Sequence, residues 1–134
     1  VTMLPTRPLP VRLAATGVLL LGTLLASSAS RAGDAAAGKD VFKSECAECH
    51  SVKEGTNKKG PSLFGIVGRK AGSIGDFNYS DAMRNSGKTW TPDELHGYLS
   101  QPAKQAIAGS KMKYDGLDNA KDLDDLLSYL ATLK

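Results

Sequence analysis

Cysteine is nearly absent from this chain. Two of its 134 residues are cysteine, Cys46 and Cys49, three positions apart. A small secreted domain stapled by disulfides shows four or more. A bridge between these two would close a tiny loop and constrain almost nothing. Surplus charge is missing as well. The formal charge is +3, but Arg7, Arg12 and Arg31 account for it. From Gly33 onward 14 basic residues stand against 14 acidic ones. Net neutrality argues against nucleic-acid binding, which draws on a basic face, and leaves local patches open. No stretch alternates apolar and polar residues convincingly, which argues against a sheet. Beyond the first 32 residues, no segment has the roughly 20 apolar positions a spanning helix needs.

Those first residues read as an address. Arg7 and Arg12 form a positive start, Leu13 to Leu25 is a continuous low-polarity run, and Ala26 to Ala32 supplies small residues. This is the three-part layout of a secretory leader. Residues 1–32 are therefore expected to be a signal peptide and residues 33–134 the working domain. The cut falls after Ala32 or after Ala29. The run Leu13–Leu25 is short for a span, and the alternative to cleavage is an anchor extended through Ala29.

The remaining domain reads as all-α, with helices joined by long loops. A first helix is expected from Asp34 to Cys46, with Ala37, Val41, Phe42 and Cys46 on one face. Asp34 and Asp40 suit its N-terminal half. From Ser51 to Tyr79 glycines recur, and no helix or strand is expected. A loop that long inside a small domain is explained if it wraps a cofactor. Ser80 is expected to cap a short helix from Asp81 to Ser86, ended by Gly87. Thr91-Pro92-Asp93-Glu94 is a helix start: Thr91 caps, Pro92 takes the first position, and Glu94 completes a capping box. That helix stops before Pro102. The last helix begins near Asn119, where Leu123, Leu126, Leu127, Leu130 and Leu133 form one stripe.

Chemistry concentrates in Cys46-Ala47-Glu48-Cys49-His50. Residues three apart on a helix share a face, with Cβ atoms about 5–6 Å apart. Two thiols so placed can add to the two vinyl groups on one edge of a haem, and the adjacent histidine can ligate the iron. C-x-x-C-H is specific for this attachment. A thioredoxin-like pair wants a βαβ setting, which is not visible. A structural zinc site needs four ligands, and Cys46, Cys49, His50 and His96 exhaust the candidates, two of them adjacent. For a sixth iron ligand there are three methionines. Met3 lies in the leader, Met83 sits in the short helix as a core filler, and Met112 stands in a loop between lysines. Met112 is the favoured ligand.

With these pieces the chain resembles the class I cytochromes c of mitochondrial and photosynthetic-bacterial type. The likeness runs through Gly38 and Phe42, then Cys46, Cys49 and His50, then Gly60-Pro61-Ser62-Leu63 and Gly68-Arg69-Lys70. It continues through Phe77-Asn78-Tyr79-Ser80, Thr89-Trp90, Tyr98-Leu99 and Pro102, and ends with Gly109-Ser110-Lys111-Met112, Leu126 and Tyr129. The resemblance implies one covalent haem c held at Cys46 and Cys49, with iron between His50 and Met112. It implies that the Pro61 carbonyl accepts the second ring N–H of His50. Arg69, Tyr79 and Trp90 would serve the propionates, Tyr98 the Met112 sulfur, and Ser110 a propionate or the methionine. Gly38 and Phe42 would cross Leu126 and Tyr129. Met83 departs from the family, where an asparagine often faces the haem. Ala103-Lys104-Gln105 and Ala108 depart too, where lysines, a tyrosine and a proline are usual.

The implied function is one-electron transfer, not enzymatic turnover, by a periplasmic monomer. The implied partners are redox protein complexes: a membrane reductase, an oxidase, a reaction centre or a periplasmic dehydrogenase. The membrane itself would be met only by peripheral docking. Lys58, Lys59, Lys104, Lys111 and Lys113 are expected to ring the haem edge. Asp115, Asp118, Asp122, Asp124 and Asp125 are expected behind it.

Overall fold

Local capping chemistry sets where the helices begin. In the computed structural model, which describes residues 32–134, Asp34 opens the first helix. Its Oδ1 accepts from the N–H groups of Ala36 at 2.8 Å and Ala37 at 3.3 Å, meeting donors that have no partner within the helix. Helix α1 spans Ala35–Glu45. Ser80 caps α2, Asp81–Arg84, through its hydroxyl and the Met83 N–H. Thr91 caps α3, Pro92–Leu99, with Pro92 in its first turn. Asn119 caps α5, Ala120–Leu130, accepting from Lys121 and Asp122. The leader expected over residues 1–32 lies outside the described residues except for Ala32.

The structure differs from the sequence reading at several ends. The capping box at Thr91 is half made. Thr91 Oγ1 accepts from the Glu94 N–H at 3.2 Å, but the Glu94 carboxylate pairs with Lys88 at 2.6 Å. The Thr91 N–H turns to the Thr89 carbonyl. A one-turn helix, α4 (Ala103–Ala106), follows Pro102 where a loop was expected; four residues are too few to show a period. The leucine stripe outruns α5. Leu133 lies past the helix end, and its carbonyl accepts from the Gly65 N–H at 2.7 Å, closing the long loop onto the C-terminus.

The core forms where α5 crosses α1 and α3. Leu123, Leu126 and Leu130 are buried together with Phe42, Leu95, Leu99, Trp90 and Ile66. Each such side chain contributes about 1.5–3 kcal/mol on burial. Gly38 permits the close crossing, and Phe42 meets Tyr129 at a ring-centroid distance of 5.7 Å. Asp125 belongs to this joint. It is 3% exposed, accepts from the Asp34 N–H at 2.7 Å and pairs with Lys121 at 2.5 Å. It ties the start of α1 to α5 and does not join a rear acidic surface.

Between α1 and α2 the described chain holds no helix or strand; an isolated bridge pairs Lys70 with Thr89. Side chains fasten this loop. Ser62 Oγ donates to the Lys53 carbonyl at 2.6 Å, and the Ser62 N–H reaches Asn57 Oδ1 at 2.9 Å. The described residues are all-α, and none of their helices is long and apolar enough to cross a membrane.

Candidate functional site

The long loop, the end of α1, α3 and the segment after α4 enclose a cavity of about 360 Å³, within the usual range for small-ligand sites. Every site residue singled out in the sequence lines it: Cys46, Cys49, His50, Pro61, Arg69, Tyr79, Trp90, Tyr98, Ser110 and Met112. Residues up to 66 positions apart thus share one wall.

His50 is held on two sides. Its Nδ1 lies 2.8 Å from the Pro61 carbonyl oxygen. A carbonyl only accepts, so Nδ1 carries the proton and Nε2 is left bare. Burial pushes the imidazole pKa down, while the Pro61 contact opposes it. The neutral ring is the form that ligates a metal. Gly60 packs against this ring, where a Cβ would stand 2.3 Å from Cε1.

Cys46 and Cys49 are both free thiols, half-buried. Burial, followed by the neighbouring Glu45, pushes the Cys46 thiol up to about 12, so it stays protonated. Met112 is half-buried and packs against the core. Tyr98 donates its hydroxyl to Met112 Sδ at 3.4 Å and stands 3.4 Å from Ser110 Oγ. Ser110 Oγ also accepts the Met112 N–H at 3.3 Å, so Ser110 sits on the methionine side of the site. Burial raises the Tyr98 phenol against its Ser110 contact, and raises the Tyr79 phenol against the opposing pull of Arg69, keeping both as neutral donors.

Three expectations change. Arg69 spends two guanidinium nitrogens on the loop itself, reaching the Phe64 carbonyl at 3.0 Å and the Ser62 carbonyl at 2.8 Å. It is a structural tie as well as part of the cavity wall. Met83 lines the cavity and is not simply a core filler. The lysines divide: Lys59, Lys111 and Lys113 line the cavity, with Lys59 paired to Glu48 at 2.5 Å. Lys58 donates to the Ala47 carbonyl, and Lys104 is exposed on α4. Glu45 and Tyr114 also line the cavity and went unnoticed in the sequence, where nothing links two residues so far apart.

The donor set fits a haem. Two free thiols at attachment spacing, an imidazole with a bare Nε2 and a thioether share one largely apolar cavity. The fold and this site define a small helical protein built around a covalently attached redox group. The cytochrome c family model matches residues 35–134. Cytochrome c of Gibberella zeae is 48% identical over 99 residues, covering 73% of this chain and 92% of that protein. Cytochrome c of Theileria annulata is 50% identical over 99 residues, covering 73% and 84%. The solved structure of cytochrome cH from Methylobacterium extorquens superposes with a TM-score of 0.68 at 40% identity, over 75% of this chain and 99% of that one. The chain belongs to the cytochrome c family, in its class I form, and is an electron-transfer protein with one covalent haem c.

Proposed function

We propose that this chain is an exported, periplasmic one-electron carrier whose haem iron is ligated by His50 and Met112. The observation that carries the reading is the convergence of the His50 imidazole and the Met112 thioether on the cavity that Cys46 and Cys49 also line. When bound, the haem supplies reversible one-electron iron chemistry. The protein's part is to hold it and to exclude other reactions. Cys46 and Cys49 fix it covalently. Pro61 orients His50 and sets its tautomer. Tyr98 and Ser110 hold the Met112 loop and sulfur in place. Trp90 and Tyr79 close the cavity, and Arg69 adds positive charge at its wall. With His50 and Met112 both holding the haem iron, no site would be left open for a substrate, which suits a carrier and not an enzyme.

Residues 1–32 act as the leader in this reading, and residues 33–134 work outside the inner membrane as a monomer. The partners are redox complexes such as a membrane reductase, an oxidase or reaction centre, or a periplasmic dehydrogenase. Lys111 and Lys113, which form no ion pair among the described residues, present positive charge to acidic partner surfaces.

Carbon monoxide tests the carrier reading. The reduced holoprotein should cycle fully with a small-molecule oxidant and reductant and should not bind carbon monoxide promptly at neutral pH. Prompt binding would show an open iron position and favour an enzyme or gas sensor. Mass spectrometry of the exported protein should find its start at Gly33 or Ser30; retention of Leu13–Leu25 would indicate an anchor.

A further inference from the structure

Tyr114 stands two residues beyond Met112 and reaches across the cavity wall. Its hydroxyl donates to Glu45 Oε2 at 3.3 Å, over 69 positions of sequence. Glu45 is the last residue of α1 and directly precedes Cys46. The other polar anchors of this loop run to the opposite side, toward α3 and α4. The Ser110 N–H donates to the Ile107 carbonyl at 3.0 Å, and the Tyr114 carbonyl accepts from the Ala103 N–H at 2.9 Å. The Leu117 N–H reaches the Leu99 carbonyl at 2.8 Å. Gly116 lies flat on Gln101, whose backbone a Cβ would meet at 2.8 Å. The loop is therefore hinged on α3 and α4. Among the described residues, Tyr114–Glu45 is its one hydrogen bond to the segment that carries Cys46 and Cys49.

We propose that this hydrogen bond is a latch that holds the Met112 loop closed on the cavity, making Tyr114 and Glu45 positioning residues for the Met112 thioether. The inference rests on Met112 ligation as proposed above. The two roles of Tyr114 are separable. Its half-buried ring covers the cavity wall, packed against the core, while its hydroxyl alone makes the latch. Loop opening must break the hydrogen bond before the thioether can leave. A bond to a carboxylate is stronger than a neutral one, though exposure to water weakens this one.

Imidazole binding to the oxidised holoprotein, at concentrations where loop opening limits the rate, tests the latch. Tyr114→Phe and Glu45→Ala should each speed binding by about 3- to 10-fold. Glu45→Gln, which keeps an acceptor oxygen, should stay near the parent rate. The double variant Tyr114→Phe/Glu45→Ala should be no faster than either single one. Amide exchange at Lys111, Met112 and Lys113 should rise in parallel in both single variants, reading the opening without added ligand. Unchanged rates in Tyr114→Phe, or effects that multiply in the double variant, would overturn the latch. A parent protein whose oxidised spectrum shows the methionine–iron band, with variants like the parent, would fail the latch alone. A parent without that band would fail the ligation reading and the latch with it.

Discussion

Gly38 of α1 lies so close to Asp125 of α5 that an added Cβ would stand 1.9 Å from the Asp125 carbonyl oxygen and 2.9 Å from Tyr129 Cβ. Gly38→Ala therefore sets two effects against each other. Alanine favours the helix by about 1 kcal/mol. A methyl group forced into backbone atoms costs about 1–3 kcal/mol, toward the upper end when the obstacle is a carbonyl. The clash should win. Thermal or urea unfolding of the holoprotein should show a net loss of about 2 kcal/mol, with haem attachment intact. A stabilised variant would mean that the two helices sit farther apart than described.

Asp125 gives the same joint a pH dependence. Its carboxyl is held below its ordinary value of 3.8, first by the Lys121 side chain and then by the Asp34 N–H. A depressed folded-state value adds stability that is complete above the unfolded value and fades as pH falls through the folded one. Asp125→Asn should therefore unfold at a lower temperature than the parent at neutral pH. The gap should shrink below pH 3.8, where the parent's carboxyl takes up its proton. A gap that is constant through that acid range would assign the loss to packing and not to charge.

Tyr98→Phe removes a hydroxyl but keeps the ring, which packs 5.0 Å from Trp90 between centroids. The lost contacts are those to Met112 Sδ and Ser110 Oγ. Stability should fall by about 0.5–1.5 kcal/mol. A hydrogen bond to the thioether withdraws electron density from it, so its loss should favour the oxidised iron and lower the midpoint potential. An unchanged potential in a folded variant would place the hydroxyl outside the electronic reach of the sulfur.

Electron transfer to an acidic partner protein should slow with salt. Lys111 and Lys113 supply unpaired charge beside the cavity, and steering of this kind is screened over about 10 Å at 0.1 M ionic strength. The bimolecular rate should drop by about tenfold or more on going from low to high salt. Lys111→Gln/Lys113→Gln should flatten the dependence. A parent rate indifferent to salt would remove the steering role.

Much of this was legible in the sequence because it is written in local patterns. Ser80 and Thr91 cap helices through atoms a few residues away, and C-x-x-C-H is itself a short-range geometry. The leucines of α5 declare one buried face by their spacing. What stayed hidden depends on partners distant in sequence. Glu94 follows the capping-box pattern but finds Lys88 instead. Asp125 reads as one more surface acid until the start of α1 folds onto it. Tyr114 and Glu45 follow no motif, and their contact exists only once the Met112 loop closes. Arg69 was read toward the cofactor, yet its guanidinium also stitches its own loop. That pairing is set by a loop path that no periodicity records.

The optical spectrum of the matured, oxidised holoprotein tests the central claim most directly, read beside that of Met112→Ala. The parent should show a c-type haem spectrum with the weak far-red band of methionine–iron(III) bonding, and Met112→Ala should keep the haem but lose the band. A parent without the band, or a band that survives in Met112→Ala, would contradict His50/Met112 ligation.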